Sequence, residues 1–480
     1  MSLKHKTFSA LRWTAAASGV RALLHLAQVA VLARLLVPED YGLMAMVGVV
    51  LVFAGLFSDM GMSSAFIQRQ DVSLQERSSL FWLNICLSAV LMLVVIVLSP
   101  LLSHWFGDVR LSPLLMLAAS TFVINAIGQQ MRMNAEKALN FRPVVLLELG
   151  SAVFGFATAV VGALAGWGVY ALIAGGLVSS IAGSVFAWFY LTEGWRPMWR
   201  FRLNDVRSYF GFGGAMVANN LVNEVNRSVD LFLGGKLLGA AALGFYSMPR
   251  NIVFHVQNLV NPIITRIGFP LIAQVQHDIP RVRSIYLQTI NMTASTNAPI
   301  YIGIAFFAPE VVAVLLGSKW LDSAELLRVL VVWGFLRSTG NPVGSLLMGM
   351  GRAKLQLKWN LGLLCLIPPV MWWGSTLGHM GLAWTLLGVQ VMLFIPGWYF
   401  LVRPVCHAGL SEYSMAAFRP LILSLVSIAP GYYITRGIEY PLFHLLAGML
   451  IAVPLYIFLS YIFNRCWCNS LLNLIKKTGY

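Results

Sequence analysis

The sequence predicts an all-α integral membrane protein with about fourteen transmembrane helices. Of its 480 residues, 58% are hydrophobic and only 11% are charged, whereas about 25% of the residues in soluble globular proteins are charged. Long stretches contain no Asp, Glu, Lys or Arg at all, among them residues 78–107 and 359–402. A membrane helix needs about 20 mostly apolar residues, so each of these stretches accommodates one or two spans.

The positively charged residues fall mainly in alternate gaps between the apolar runs. Most of the 33 Lys and Arg lie in the N-terminal segment, in the C-terminal tail and in every second gap between them. By the positive-inside rule those gaps face the cytoplasm, so we expect both termini to be cytoplasmic. The net charge of +15 therefore indicates topology and contacts with anionic lipid head groups, and no nucleic acid partner is expected.

The apolar runs divide the chain into two lobes and an additional helix pair. A basic, cytoplasmic N-terminus at 1–13 precedes a first span that we expect to remain uncleaved, because it lacks a small-residue cleavage pattern. The predicted spans are 14–36, 41–66, 78–103, 112–133, 143–165, 168–191, 209–235, 241–265, 291–316, 325–348, 358–378, 380–402, 413–435 and 441–463. The predicted organisation is an N-terminal six-helix lobe at 14–191, a cytoplasmic linker at 192–208, a C-terminal six-helix lobe at 209–402, an additional helix pair at 413–463 and a cytoplasmic tail at 464–480.

A segment of the N-terminal lobe recurs in the C-terminal lobe. Residues 32–46 resemble residues 234–248 at an offset of 202, with Gly42 matching Gly244. An even number of spans separates the two copies, so they share one orientation in the membrane, as in transporters built from parallel repeats. The alternative is chance similarity between two apolar helices.

Polar side chains concentrate in a few of the predicted spans. Charged groups in the bilayer core cost about 2.5–3.5 kcal/mol each on insertion scales, and they tend to face a cavity or a partner. The candidate substrate-binding residues are Arg21, His25, Gln28, Asn223, Arg227, Arg250, Asn258 and Arg337. The first three have the i, i+4, i+7 spacing of one helical face. At the offset of 202 the same spacing recurs at Asn223, Arg227 and Asp230.

These side chains suit an anionic substrate that is rich in hydroxyl groups. Arg binds phosphate through paired donors in a fixed fork, and Asn and Gln offer donors and acceptors to sugar hydroxyls. The alternative is purely structural, with Arg227 paired to a nearby carboxylate and holding helices together. The candidate ion-coupling residues are Glu148, Glu224 and Asp230. Glu148 is the lone charge of its span and could instead snorkel from a cytoplasmic helix start.

The sequence contains no motif for catalysis or nucleotide binding. It has no Gly-rich loop that ends in Lys-Ser or Lys-Thr, and no stretch polar enough to form a soluble domain. The five Cys lie in or beside apolar runs, so neither a disulfide framework nor a metal site is expected. We therefore expect a secondary transporter rather than an enzyme, with no cofactor and no ATP hydrolysis.

Four stretches distributed along the chain resemble one transporter family. They are LARLLVPEDYGLMAM (32–46), SDMGMSSAFIQR (58–69), NPIITRIGFP (261–270) and LRSTGNPVGSLLMGMGR (336–352). Through them the chain resembles the polysaccharide transporter (Wzx-type) family of the multidrug/oligosaccharidyl-lipid/polysaccharide (MOP) flippase superfamily. It is most similar to the colanic acid exporter (WzxC-like) branch. The resemblance implies a MATE-like, V-shaped pair of six-helix lobes with two further C-terminal helices.

The resemblance also implies a substrate. It implies that an undecaprenyl-diphosphate-linked oligosaccharide moves by alternating access from the cytoplasmic to the periplasmic leaflet of the bacterial inner membrane, for exopolysaccharide, capsule or O-antigen synthesis. The expected partners are this lipid-linked substrate, membrane lipids, a polysaccharide polymerase and a chain-length regulator. Two alternatives stay open. A MATE-like cation or drug antiporter would need an acidic cavity, and a membrane polysaccharide polymerase would usually carry a large outer loop.

Overall fold

The computed structural model describes residues 19–469 except for residues 22, 60, 61, 70, 71, 193 and 466. Every regular element within these residues is helical, which confirms the predicted all-α class. The predicted N-terminus at 1–13, the first part of the first span and most of the predicted tail at 464–480 lie outside the described residues.

The described helices follow one another with short connections. Helix α1 covers the helical residues between 19 and 35. The helices that follow are α2 (Pro38–Asp59), α3 (Met62–Gln68), α4 (Leu74–Phe106), α5 (Leu111–Lys137), α6 (Phe141–Leu164), α7 (Val169–Tyr190), α8 (Leu203–Gln274), α9 (Ile279–Phe306), α10 (Ala308–Leu315), α11 (Ala324–Gly340), α12 (Val343–Gly349), α13 (Ala353–Thr376), α14 (Gly378–Met392), α15 (Phe394–Gly397), α16 (Arg403–Cys406), α17 (Leu410–Thr435) and α18 (Pro441–Phe463). A 3₁₀ turn at Ser318–Ser323 precedes α11, and a π-helical turn at Trp398–Val402 joins α15 to α16.

Many of these helices are long and apolar enough to cross a bilayer. Within the described residues nine helices meet this condition, or ten if α9 and α10, which meet at an 85° bend, form one broken span. The predicted number of about fourteen remains a prediction. One reason is that α8 counts once although it is kinked. Another is that α11 has only 17 residues, fewer than the about 20 that a straight span requires.

Large apolar side chains project outward from the described helices. Val97, Leu164 and Leu450 are 74%, 69% and 77% exposed. A soluble monomer rarely exposes so much continuous apolar surface, whereas lipid tails accommodate it without cost. The distribution of exposed side chains therefore supports the same conclusion as the helix lengths, namely a multi-pass membrane protein.

The chain consists of two compact units, one ending at Gly244 and the other beginning at Phe245. In the first unit α4 packs on α5, α6 packs on α7, and α7 also contacts α5. In the second unit α9 packs between α11 and α17, while α18 lies against α17. The predicted lobe boundaries at 191 and 209 lie before this division, and they remain predictions because compactness alone does not test a repeat.

The break inside α8 supports the internal repeat. Gly239 has a positive φ of 78° and interrupts α8 between the predicted spans 209–235 and 241–265. The position 202 residues earlier is Val37, in the short connection where α1 ends and α2 begins. Both copies of the repeated segment therefore have the same local form, a helix that breaks and then continues as a second helix.

The two copies also contact each other through equivalent positions. A Cβ added to Gly42 would overlap the carbonyl oxygen of Ala240, and one added to Gly244 would overlap the carbonyl oxygen of Pro38. Pro38 and Ala240 are themselves 202 residues apart. The contact is thus reciprocal in the way that a two-fold-related interface is, and each copy supplies one glycine that lets the other backbone approach.

A charged cluster closes the turn between α4 and α5. Gly107 ends α4 in the left-handed conformation, with φ 77°. The guanidinium of Arg110 donates to Asp108 at 2.8 Å and also to Glu39. The hydrogen bond from Arg110 is the main reason that the pKa of the Asp108 carboxyl lies below its ordinary value. The turn is thereby joined to the first turn of α2.

The reciprocal contact predicts a strong and local effect of substitution. We expect Gly42→Ala to lower the free energy of unfolding by about 1–3 kcal/mol, because the new methyl group meets a backbone carbonyl that has no side-chain freedom. Gly48→Ala is the matched control, since it lies on the same helix and nothing is within 4 Å of its added Cβ. Thermal unfolding of the detergent-purified variants measures both, and equal stability of the two would contradict the contact.

The cluster in the turn predicts a weak pH dependence. A carboxyl whose pKa is lowered on folding adds stability above its unfolded pKa, about 3.9 for Asp, and this contribution disappears as the pH falls through the folded value. Because the Arg110 side chain is 52% exposed, we expect Arg110→Gln to cost at most about 1 kcal/mol at pH 7 and less at pH 3. The measurement is the melting temperature at both pH values, with the exposed loop residue Arg436→Gln as control. An equal loss at both pH values would refute the assignment.

Candidate functional site

In the first unit, the first predicted binding residue lies against a predicted coupling residue. The guanidinium of Arg21 on α1 forms an ion pair with the carboxylate of Glu148 on α6. The two side chains are 47% and 36% exposed, so the pair is accessible from one side. His25 and Gln28, on the same face of α1, are half-buried. The structure thus adds a partner that helical spacing did not predict, and the substrate and coupling roles remain predictions.

Two further charges lie close to this pair and were not singled out by the sequence. Arg132 on α5 interacts electrostatically with both Glu148 and Glu136. Gly183 on α7 leaves room for it, because a Cβ there would meet a terminal guanidinium nitrogen of Arg132 at 2.5 Å. Arg21, Arg132, Glu136 and Glu148 therefore form a mixed-charge cluster of α1, α5 and α6. The sequence reveals residues that share a face of one helix, because they are three or four positions apart. It does not reveal a cluster whose members come from three helices.

The polar stripe on α8 belongs to the same unit. Asn223 and Arg227 are exposed, whereas Asp230 is only 2% exposed. The predicted coupling residue Glu224 accepts a hydrogen bond of 2.6 Å from the hydroxyl of Ser228, one turn later. The stripe therefore presents a cationic and amide surface at its exposed edge, and Asp230 lies inside the unit.

In the second unit, two of the predicted binding residues lie on one aromatic ring. The guanidinium groups of Arg250 and Arg337 lie 4.6 Å and 5.3 Å from the centroid of the Phe254 ring, and Arg337 is also 5.4 Å from the ring of Trp333. Cations are attracted to the negative face of aromatic rings, most strongly where water is excluded. Arg250 is only 5% exposed, so in this conformation it is placed to hold α8 in position, while Arg337 is more accessible.

A buried amide network lies next to these arginines. The side chain of Asn261 donates to the carbonyl of Ser338 at 3.1 Å and accepts from the amide of Asn297 at 2.9 Å. The hydroxyl of Tyr301 donates to the carbonyl of Val253 at 3.0 Å. These bonds join α8, α9 and α11 within the second unit. Asn258, the remaining predicted binding residue on α8, is exposed and lies outside this network.

The comparison with protein families identifies the chain. A family model described as polysaccharide biosynthesis protein matches residues 31–325, which is more than half of the sequence. The chain belongs to this family. The lipopolysaccharide biosynthesis protein WzxC of Escherichia coli (strain K12) is 30% identical over 433 residues, which cover 90% of this chain and 88% of that protein. The resemblance noted in the sequence is thereby confirmed.

Solved structures show the same fold. The lipid II flippase MurJ in an inward closed conformation superposes with a TM-score of 0.76 over 95% of this chain and 99% of its own, at 12% identity. An inward-facing multidrug resistance MATE transporter of the MOP superfamily gives a TM-score of 0.63 over 80% and 94% of the two chains, at 17% identity. At these identities the likeness concerns the fold alone, and it confirms the predicted MOP-type architecture.

The pair of Arg21 and Glu148 predicts a charge-exchange result. We expect Arg21→Glu and Glu148→Arg each to lower the free energy of unfolding by about 0.2–1 kcal/mol, because each places like charges side by side at a partly exposed position. The double variant should recover most of this loss, since the opposite charges again face each other. A double-mutant cycle of thermal stability measures the coupling. Simple addition of the two losses would show that the residues do not interact.

Proposed function

We propose that this protein is a flippase that moves a polyprenyl-diphosphate-linked oligosaccharide from the cytoplasmic to the outer leaflet of the bacterial inner membrane by alternating access. The observation that carries the proposal is the membership of the polysaccharide biosynthesis family, with WzxC aligned over most of both chains. The fold shared with the lipid II flippase MurJ supports it by analogy.

The polar residues of the two units supply suitable chemistry for such a substrate. The proposed phosphate-binding groups are Arg227 of the first unit and Arg337 of the second, and Arg21 joins them only where its ion pair with Glu148 opens. Their guanidinium groups offer the paired donors that bind a diphosphate. The neighbouring amides of Asn223 and Asn258 are proposed to bind sugar hydroxyls. A head group with both charges and hydroxyls thus finds matching partners on each unit.

The membrane orientation and the energy source are part of the proposal. The distribution of Lys and Arg supports cytoplasmic termini. The sequence carries no nucleotide-binding loop, which supports transport driven by an ion gradient, by the membrane potential or by the gradient of the substrate itself, without ATP hydrolysis. A polymerase and a chain-length regulator are proposed partners, because a translocated repeat unit needs an enzyme that extends it.

A cation or drug antiporter is the main rival function. Such a transporter needs accessible carboxylates to attract cations. Glu148 is occupied by Arg21, Glu224 is hydrogen-bonded to Ser228, and Asp230 is buried. These arrangements favour the flippase. A deletion strain that loses drug resistance and keeps its surface polysaccharide would favour the antiporter.

Charge reversal on α8 tests the flippase directly. We expect Arg227→Glu to reduce translocation at least about a hundredfold, because replacing attraction to a diphosphate by repulsion costs about 3 kcal/mol or more. The assay uses proteoliposomes and measures how much of a fluorescent undecaprenyl-diphosphate oligosaccharide becomes accessible in the opposite leaflet.

Arg281→Glu is the control variant. It makes the same change of charge at an exposed residue near the start of α9, and it should retain wild-type translocation. Wild-type protein that fails to move the lipid would refute the flippase, whereas full activity of Arg227→Glu would refute only the assignment of this residue.

A further inference from the structure

The second unit contains a cavity in which Arg337 alone has a role proposed above. It has a volume of about 390 Å³ and is lined by α8, α11, α12, α13, the segment from α14 to the π turn, and α17. This volume lies within the range of about 300–1,000 Å³ that small-molecule sites occupy. Apart from Arg337 at its edge, the described side chains that line it are uncharged.

One wall of the cavity consists of amide side chains. Gln356 and Asn360 are four residues apart on α13 and therefore share one helical face, and Gln257, Asn341 and Gln390 line the cavity from neighbouring helices. Amides both donate and accept hydrogen bonds, so five of them around one cavity match a ligand that also does both.

Several polar atoms on this wall lack a hydrogen-bond partner within the protein. They are the amide oxygens of Gln257 and Gln356 and the hydroxyl of Thr339. Gln257 is 9% exposed and Thr339 is 5% exposed. Buried polar atoms are almost always hydrogen-bonded in folded proteins. Three unpaired atoms around one cavity therefore indicate that the cavity receives a molecule that carries hydroxyl donors.

Aromatic side chains line the same cavity. The rings of Tyr413 and Phe418 lie 5.0 Å from the ring of Phe394, and Trp359 lines the same cavity from α13. Aromatic faces carry partial negative charge and attract the partially positive hydrogens of C–H groups. A pyranose ring has hydroxyls at its rim and C–H bonds on its faces, so it matches a cavity that is lined by both amides and aromatic rings.

We infer that this cavity binds one end of the oligosaccharide, and that it recognises neutral sugar rings independently of the diphosphate. The inference rests on the proposed flippase function and extends it to the substrate's glycan. A metal cation is a poor match because no carboxylate is among the described lining residues. A diphosphate alone is a poor match because it has no donor for the unpaired amide oxygens of Gln257 and Gln356. The cavity thus selects the sugar, while the arginines bind the charge.

Binding measurements with three probes test this inference. The full-length protein in nanodiscs is titrated with an undecaprenyl-diphosphate oligosaccharide, with the same oligosaccharide released by mild acid, and with sugar-free undecaprenyl diphosphate. We expect Gln356→Met and Trp359→Ala to raise the Kd for both sugar-bearing probes by about tenfold or more, because each removes a partner of the sugar. The Kd for the sugar-free lipid should stay within about twofold.

Matched variants separate a specific loss from general damage. Gln274→Met and Trp373→Ala change the same residue types at exposed positions in the second unit, outside the cavity, and both should bind like the wild type. Trp359→Phe keeps a ring and should retain most of the affinity. Gln356→Met tests the site by itself if Trp359→Ala does not fold.

The outcomes distinguish the two proposals. Unchanged sugar binding in both Gln356→Met and Trp359→Ala, or an equal loss for the sugar-free lipid, would overturn the sugar site and leave the flippase standing. Wild-type protein that binds none of the sugar-bearing probes would overturn the flippase and the sugar site together. A binding signal at this cavity when the protein is titrated with NaCl alone would identify an ion site and would also overturn the inference.

Discussion

The close approach of two backbone segments, at Gly42 against Ala240 and at Gly244 against Pro38, is the contact on which the organisation of the first unit depends. Backbone atoms meet here without intervening side chains, so the helices that follow are fixed by peptide geometry. Small residues serve this purpose in membrane proteins generally, because association in lipid relies on close packing instead of hydrophobic burial. The matching breaks at Val37 and Gly239 orient the two segments in the same way.

Buried polar groups impose the second constraint on the structure. In hydrocarbon an unpaired donor or acceptor costs several kcal/mol, and in the second unit the side chain of Asn261 is paired with both Asn297 and Ser338. Such a network is strengthened by the low dielectric around it. Beside the cavity, the amide oxygens of Gln257 and Gln356 have no such partner within the protein.

The sequence predicts the helical class, the repeat and the polar faces because each of these is a local property. The spacing of Arg21, His25 and Gln28 identifies a face of one helix, and the offset of 202 identifies its relative on α8. Neither property says which faces of different helices meet. The packing of α1, α5 and α6 brings Arg21, Arg132 and Glu148 together. The cavity is likewise lined by residues that are far apart in the sequence, between positions 257 and 418. The break at Gly239, in contrast, lies 202 residues after Val37, at the position that the repeat predicts.

The separation of Arg21 from Glu148 has a consequence for biosynthesis. The two residues are 127 positions apart in the chain, and ribosomes add about 5–20 residues per second. The guanidinium is therefore made about 6–25 s before its counter-charge exists. During that interval α1 holds an uncompensated cation, which favours a shallow position near the head groups. Synthesis of α6 supplies the carboxylate that removes this charge imbalance.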